Sequence, residues 1–134
     1  MNRPFSLIRV DIAKVVYLGI LCLARPATAA DFNGQVVSVL DGDTIEVLHN
    51  THPERVRLSG IDCPEKGQAF GNRAKQATSA LVFGRDVILK AHGQDKYGRT
   101  LADVILLDGT HVNHTLVKDG WCWWYRDIGR EIPS

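Results

Sequence analysis

Three short polar segments of this 134-residue chain hold residue types that could do chemistry. They are residues 41–44, 57–65 and 95–99. Each segment alone could be an ordinary turn, because Asp-Gly and Pro are common turn residues. Together they supply carboxylates, which suit Ca²⁺ or Mg²⁺, and arginines, whose planar forks suit phosphate oxygens. Since the segments lack a nucleophilic Ser or Cys paired with a base, this set predicts metal-assisted hydrolysis of a phosphodiester.

Five side chains in these segments are the candidates for that chemistry. Asp43, Asp62 and Glu65 offer metal ligands or a base, and Arg57 and Arg99 offer cations for phosphate oxygens. The alternative is that each arginine only forms a surface salt bridge, the common fate of a strand arginine. The neighbouring acids favour the catalytic interpretation.

The composition indicates one ordinary globular domain. Hydrophobic residues make up 45% and charged residues 23% of the chain, which argues against a disordered or fibrous protein. The formal net charge of +1 argues against a polybasic coat for nucleic acid. A nucleic-acid site would therefore depend on local positive charge or a bound cation.

The hydrophobic pattern predicts the elements that position the polar segments. The predicted strands are residues 32–40, 44–49, 54–61, 86–91 and 99–107, the predicted helices are 70–83 and 112–118, and residues 121–125 are extended. This order, with a helix between the third and fourth strands and a short helix after the fifth, is that of a five-stranded OB-fold barrel. The predicted class is mainly β with α (α+β). An open α+β sheet is the alternative, because periodicity alone does not exclude it.

Residues 56–65 and 95–102 resemble two hallmark sequences of the thermonuclease (staphylococcal nuclease-like) family, and residues 41–44 resemble a third. The similarity extends over about residues 32–125. The resemblance implies a Ca²⁺-dependent nuclease on an OB-fold barrel that cleaves DNA and RNA and leaves 3′-phosphates.

The resemblance also implies a ligand set and a base. Asp43 and Asp62 would bind Ca²⁺ through their carboxylates, and the backbone carbonyl of Cys63 would be a further ligand. Glu65 would position the attacking water and act as its base. These four residues would form the metal and water side of the site.

The phosphate and nucleotide side of the site follows from the same resemblance. Arg57 and Arg99 would hold the scissile phosphate and offset charge in the transition state. Lys96 and Tyr97 match positions that flank the nucleotide, where an aromatic face can stack on a base.

The aromatic run at residues 121–125 could be a base-stacking strip. We expect Trp121 and Trp123 to pack against the barrel instead. Tyr125 is the better candidate for contact with a nucleotide. Alternation of faces alone does not decide which of these side chains point outward.

The first 29 residues are typical of an export signal peptide. Basic residues precede ten apolar residues, and Ala27-Thr28-Ala29 fits the small-x-small cleavage rule. A membrane anchor is the alternative, but a span needs roughly 20 apolar residues. A lipoprotein site at Cys22 is disfavoured by Leu21 before it. Cleavage predicts a periplasmic or secreted protein without stable membrane association. We also expect a monomer.

The predicted mature chain, residues 30–134, contains two cysteines and is slightly acidic. Its 12 basic and 14 acidic residues give a net charge of −2. Cys63 and Cys122 could form one disulfide in an oxidising compartment, or could be two small buried apolar residues. A zinc site at His111 and His114 is disfavoured, because no third ligand lies nearby in the sequence.

The last residues depart from the family pattern. We expect the OB-fold domain to cover residues 30–126 and residues 127–134 to be a short irregular tail that lacks the family's C-terminal helix. There are two alternatives to a functional nuclease. One is a non-catalytic nucleic-acid-binding module, which the full set of candidate catalytic residues disfavours. The other is a poorly folded remnant of a nuclease, which the short tail favours.

Overall fold

The structure, a computed structural model, describes residues 30–125. The predicted signal peptide (1–29) and tail (127–134) lie outside the described residues. Neither helix within the described range is long and apolar enough to cross a membrane.

The described chain folds as a small barrel with two helices. The elements are β1 (Phe32–Asp41), β2 (Thr44–His49), β3 (His52–Leu58), β4 (Ile61–Asp62), α1 (Gly71–Val82), β5 (Asp86–Gln94), β6 (Thr100–Leu106), α2 (Val112–Lys118) and β7 (Trp123–Trp124). Strands β1, β2, β3, β6 and β5 close into a barrel in that order, and β4 pairs with β7. The α+β class and the five-stranded OB-fold barrel are therefore confirmed, and the open sheet is excluded.

Two predicted boundaries are wrong. The predicted strand 54–61 is two elements, β3 and β4, because Gly60 adopts a left-handed φ of 74° that turns the chain between them. Strand β5 continues to Gln94 rather than to residue 91, since its pairing with β6 resumes beyond an irregularity between Ala91 and Gly93.

The alternation along β3 determines which residues reach the core and which reach the site. Val56 and Leu58 are almost completely buried, whereas Arg57 lies on the other face, half-buried. In the sheet, Arg57 pairs with Thr44 of β2 and with Leu101 of β6. This register puts Arg57 beside the β1–β2 turn, where the first polar segment lies.

A buried asparagine of α2 fixes the turn that leads into β4. The Asn113 side chain accepts a hydrogen bond from the Val104 backbone N–H (3.1 Å) and donates to the carbonyls of Ser59 (3.0 Å) and Ala102 (3.3 Å). Its polar atoms are thus satisfied in a position where an unpaired amide would be costly. The bonds connect α2 to the barrel and to the turn before Asp62.

Strand β7 holds the C-terminal aromatic segment against the loop after β3. Ile61 pairs with Trp124 and Asp62 with Trp123, and the Tyr125 N–H donates to the Gly60 carbonyl at 2.9 Å. A displacement of β4 would therefore also displace β7.

Candidate active site

The guanidinium of Arg57 connects two carboxylates that are far apart in the sequence. Its Nη2 lies 3.3 Å from Oδ2 of Asp43 and 3.2 Å from Oδ1 of Asp62. Its Nη1 donates to the backbone carbonyls of Leu58 and Ile61, both at 2.8 Å. These four acceptors fix the plane of the guanidinium. Both carboxylates are thereby held beside the same nitrogen of Arg57.

Asp43 is the most buried charged residue of this group, with 7% of the whole residue exposed. Burial raises the pKa of Asp43, while the Arg57 charge, the Cys63 N–H on Oδ2 (3.0 Å) and the Thr44 hydroxyl on Oδ1 (3.1 Å) oppose that rise. The nearby Asp62 adds to the rise in pKa. An additional cation beside Asp43 would therefore stabilise its charged form.

Glu65 has an exposed side chain on a firmly held backbone. Its N–H donates to Oε1 of Gln68 (2.8 Å), and its carbonyl accepts from the Gln68 N–H (2.9 Å). A Cβ at Gly71 would lie 1.9 Å from the Glu65 carbonyl oxygen, so only glycine fits there. The next N–H, of Lys66, donates to Oδ1 of Asp41 at 3.2 Å. The β1–β2 turn and the start of α1 thus both hold the Glu65 loop.

Arg99 is oriented by an aspartate to which the sequence analysis assigned no role. Oδ2 of Asp95 accepts from Nε of Arg99 at 2.6 Å, and Oδ1 accepts from the N–H groups of Tyr97 (2.9 Å) and Arg99 (3.0 Å). Desolvation favours protonation of Asp95, but the hydrogen bonds from Arg99 outweigh it and lower the pKa of Asp95. The Asp-x-Tyr-x-Arg spacing of an Asx turn is the sequence signal for this role.

The two remaining candidates of that segment form an exposed group with Arg99. Tyr97 is 71% exposed. The centroid of its ring lies 5.1 Å from Nζ of Lys96 and 5.3 Å from Cζ of Arg99. This is an aromatic face flanked by two cations, a suitable surface for a nucleotide.

The site residues therefore fall into two groups on neighbouring strands. In the first group, Arg57 contacts both Asp43 and Asp62. Arg99 directly precedes Thr100, which pairs with Val56 in the parallel β3–β6 ladder. The barrel thus brings the beginning of β6 next to the strand that carries Arg57.

A disulfide bond joins Cys63 and Cys122, whose Cα atoms are 4.3 Å apart. The Cys63 sulfur is therefore not free to bind a metal, and this residue can offer only its backbone carbonyl. A Cβ at Gly42 would lie 3.0 Å from Cβ of Cys63 and 3.1 Å from Cβ of Ala74. The β1–β2 turn thus packs closely on both the disulfide and α1.

The donor chemistry fits a hard divalent cation. Asp43 and Asp62 converge on one nitrogen atom, and both offer carboxylate oxygens. Between residues 30 and 125, no three His, Cys, Asp or Glu side chains are grouped as a complete metal cage. The Cys63 carbonyl and water would have to complete the coordination.

The aromatic segment is only partly as predicted. Trp121 packs against the core, as expected. The prediction that Trp123 packs against the barrel is wrong: 51% of its surface is exposed, because β7 pairs only with the two-residue strand β4 and lies outside the barrel. Tyr125 is 58% exposed.

Comparison with known proteins finds one matching family and several proteins of similar sequence. The family described as "Staphylococcal nuclease homologue" matches residues 55–133. The chain is 44% identical over 142 residues to a protein of Shigella flexneri named micrococcal nuclease, covering 100% of this chain and 79% of that protein. It is 42% identical over 137 residues to protein ParB of Escherichia coli, covering 96% and 75%. It is 40% identical over 118 residues to an uncharacterized endonuclease of Escherichia coli O157:H7, covering 88% and 77%.

Proposed function

Since the chain belongs to the family of staphylococcal nuclease homologues, we propose that it is a nuclease. In this proposal it uses bound Ca²⁺ to hydrolyse phosphodiester bonds of DNA and RNA and leaves 3′-phosphates. The observation that carries the proposal is that Asp43 and Asp62 both lie within 3.3 Å of one nitrogen of Arg57. Hard oxygen ligands beside a fixed guanidinium are what stabilises the charge of a phosphoryl transition state.

Asp43 and Asp62 are the proposed side-chain ligands of the cation, with the Cys63 carbonyl as a third. Bound Ca²⁺ supplies Lewis-acid polarisation of a phosphate oxygen. The burial of Asp43 supports its role, because a poorly solvated carboxylate gains most from a nearby cation. The Thr44 hydroxyl and the Cys63 N–H orient that carboxylate in advance.

Arg57 and Arg99 are the proposed phosphate-binding cations. Asp95 fixes the guanidinium of Arg99, and the backbone carbonyls of Leu58 and Ile61 fix that of Arg57. Asp62 is the more exposed carboxylate partner of Arg57, so as a metal ligand it would release Nη2 for a phosphate oxygen. Loss of one such preoriented donor typically costs about 10²–10³ in rate.

Glu65 is the proposed base that orients the attacking water and takes its proton. Its carboxylate is exposed, as access to water requires, while its backbone is held by Gln68. A rigid backbone under an exposed side chain reduces the entropy that positioning the water would cost.

The proposed setting is outside the cytoplasm, in the periplasm or secreted, after cleavage of residues 1–29. The apolar run and the Ala27-Thr28-Ala29 site support this. All proposed catalytic residues come from one chain, so a monomer suffices. N-terminal sequencing of the protein recovered from an exporting host should find Ala30 first; an intact Met1 would contradict export by this route.

The product ends test the proposed reaction. Single-stranded DNA labelled at its 5′ end is digested in Ca²⁺, and the fragments are offered to a template-directed polymerase. We expect extension only after phosphatase treatment, because a 3′-phosphate blocks it. Fragments that extend without phosphatase would contradict the proposed bond cleavage. Glu65→Gln, prepared in parallel, controls for a contaminating nuclease.

A further inference from the structure

An open cleft of about 650 Å³ lies beside the Glu65 loop. One part of its lining comes from the loop and α1, namely Pro64, Phe70 and Arg73, and another from Trp121 and Trp123. None of these residues belongs to the ligand set, the base or the phosphate-binding arginines proposed above. The cleft is therefore without an assigned role.

Two exposed aromatic side chains line this cleft. Phe70 is 66% exposed and adopts a left-handed φ of 65°, an outlier for a bulky residue. Trp123 is 51% exposed. Core packing accounts for neither exposure, and strained residues cluster where a ligand is bound. Exposed aromatic faces are what single-stranded nucleic acids stack on.

The cleft also contains a cation that no carboxylate of residues 30–125 neutralises. Arg73 is exposed on the first turn of α1 and belongs to none of the ion pairs formed among residues 30–125. Its fork is suited to a phosphate. An aromatic lining with one free guanidinium complements a nucleotide, which has an apolar base face and an anionic phosphate.

The cleft is connected to the candidate active site through the backbone. Pro64 lies between Cys63 and Glu65, and Trp123 pairs through its backbone with Asp62. Of the lining residues, Pro64 is thus the sequence neighbour of the proposed base, and Trp123 is the strand-pairing partner of a proposed metal ligand. The cleft therefore adjoins the segment that carries the proposed base and a proposed metal ligand.

We propose that the cleft binds one nucleotide of a single-stranded substrate, with its base stacked on Trp123 or Phe70 and its phosphate on Arg73. The proposal rests on the proposed nuclease function and adds a subsite separate from Lys96, Tyr97 and Tyr125. Because the subsite binds a second nucleotide of the strand, the protein should bind oligonucleotides more tightly than mononucleotides. It should also bind single strands more tightly than duplexes.

The test is binding of a fluorescent deoxythymidine octanucleotide to the full chain in chelator, where Ca²⁺-dependent cleavage does not occur. Trp123→Ala and Phe70→Ala should each weaken binding by about 5- to 150-fold, the range for loss of one base stack. Trp124→Ala is the matched control. Trp124 is also exposed (40%) and lies on the same strand, but its ring packs edge-to-face on His114, with the ring centroids 5.2 Å apart. We expect Trp124→Ala to leave the affinity unchanged.

A second measurement tests the phosphate contact. Arg73→Gln should reduce the slope of log affinity against log salt by about 0.7, the value for one phosphate of a single strand. Lys75→Gln, on the same helix but outside the cleft, should reduce it less.

Three outcomes would overturn the subsite. They are equal effects of Trp123→Ala and Trp124→Ala, no effect of either, or a change in self-association without a change in oligonucleotide binding, which would assign the cleft to a second copy of the chain. Trp123-dependent binding without Ca²⁺-dependent cleavage would instead contradict the nuclease proposal and leave the subsite in place.

Discussion

Nη2 of Arg57 lies 3.3 Å from Oδ2 of Asp43, and both side chains are largely buried, with 17% of the Arg57 side chain and 10% of the Asp43 side chain exposed. Neither residue is well solvated, so each charge depends on the other. Removal of one partner of such a pair is costly because it leaves an uncompensated charge. This pair links the stability of the fold to the chemistry of the site.

Arg57→Met should therefore destabilise the protein by about 3 kcal/mol, since it leaves the Asp43 carboxylate buried without its cation. The double variant Arg57→Met, Asp43→Asn should recover much of the lost stability. Arg55→Met is the matched control on the same strand. The Arg55–Glu46 pair spans 3.1 Å, but the arginine is 56% exposed, so the expected loss is below about 1 kcal/mol. The free energy of unfolding in urea is measured for the unmodified protein and for these three variants. An Arg57→Met variant as stable as Arg55→Met would refute the dependence.

Reduction of the Cys63–Cys122 disulfide should destabilise the fold. The bridge joins residues 59 positions apart, and closing a loop of that length stabilises by about 4 kcal/mol in the chain-entropy model. Protein made under oxidising conditions should show no titratable thiol until it is unfolded and reduced. The Cys63→Ser, Cys122→Ser double variant should also bind Ca²⁺ more weakly, because the loop that carries Asp62 loses its anchor. Two thiols that titrate in the native protein would contradict the pairing.

Arg99→Lys should lower the nuclease rate nearly as much as Arg99→Ala, by about 10²-fold or more, because a point charge cannot reproduce a fork held by Asp95. Asp95→Asn should give a smaller loss in the same direction, since it only loosens that fork. Arg85→Lys, at an exposed position before β5, controls for loss of a guanidinium elsewhere. A near-normal rate in Arg99→Lys would remove Arg99 from the proposed mechanism.

His111 should make the fold less stable in mild acid. Burial and the neighbouring His114 lower the pKa of His111 below its ordinary value of 6.5, and Lys90 acts in the same direction, although Asp103 opposes them. The unfolded chain then binds more protons than the native chain, so stability is complete above about pH 6.5 and falls as the pH drops through the lowered pKa.

The variant His111→Asn tests this, because Asn keeps a side-chain cap for α2 but does not titrate. Thermal unfolding across this pH range should show a weaker pH dependence in His111→Asn than in the unmodified protein. His52→Asn, at an exposed position, should leave the dependence unchanged. Identical pH profiles for the two variants would refute the assignment.

Local sequence patterns predicted most of the fold. Five strands and two helices were predicted near their observed positions, because strand and helix periodicity is a property of a few adjacent residues. The division of the third predicted strand at Gly60 was missed, since a short run of residues does not reveal where a strand stops pairing.

The parts of the site that depend on distant pairing could not be predicted. The exposure of Trp123 follows from the pairing of β7 with β4, which are about sixty residues apart in the chain. The role of Arg73 in lining a cleft depends on the same contact, which brings the aromatic segment to α1. Asn113 carried no signal beyond its place in a short helix, although its bonds hold the turn before β4.

The rate of cleavage of single-stranded DNA and RNA, measured with millimolar Ca²⁺ and again with chelator, tests the central proposal most directly. The purified protein is compared with Glu65→Gln and Asp43→Asn prepared in the same way. We predict rapid degradation in Ca²⁺ by the unmodified protein alone, complete loss in chelator, and recovery when Ca²⁺ is restored. Cleavage that continues undiminished in chelator, or that survives in both variants, would contradict the proposed Ca²⁺-dependent mechanism.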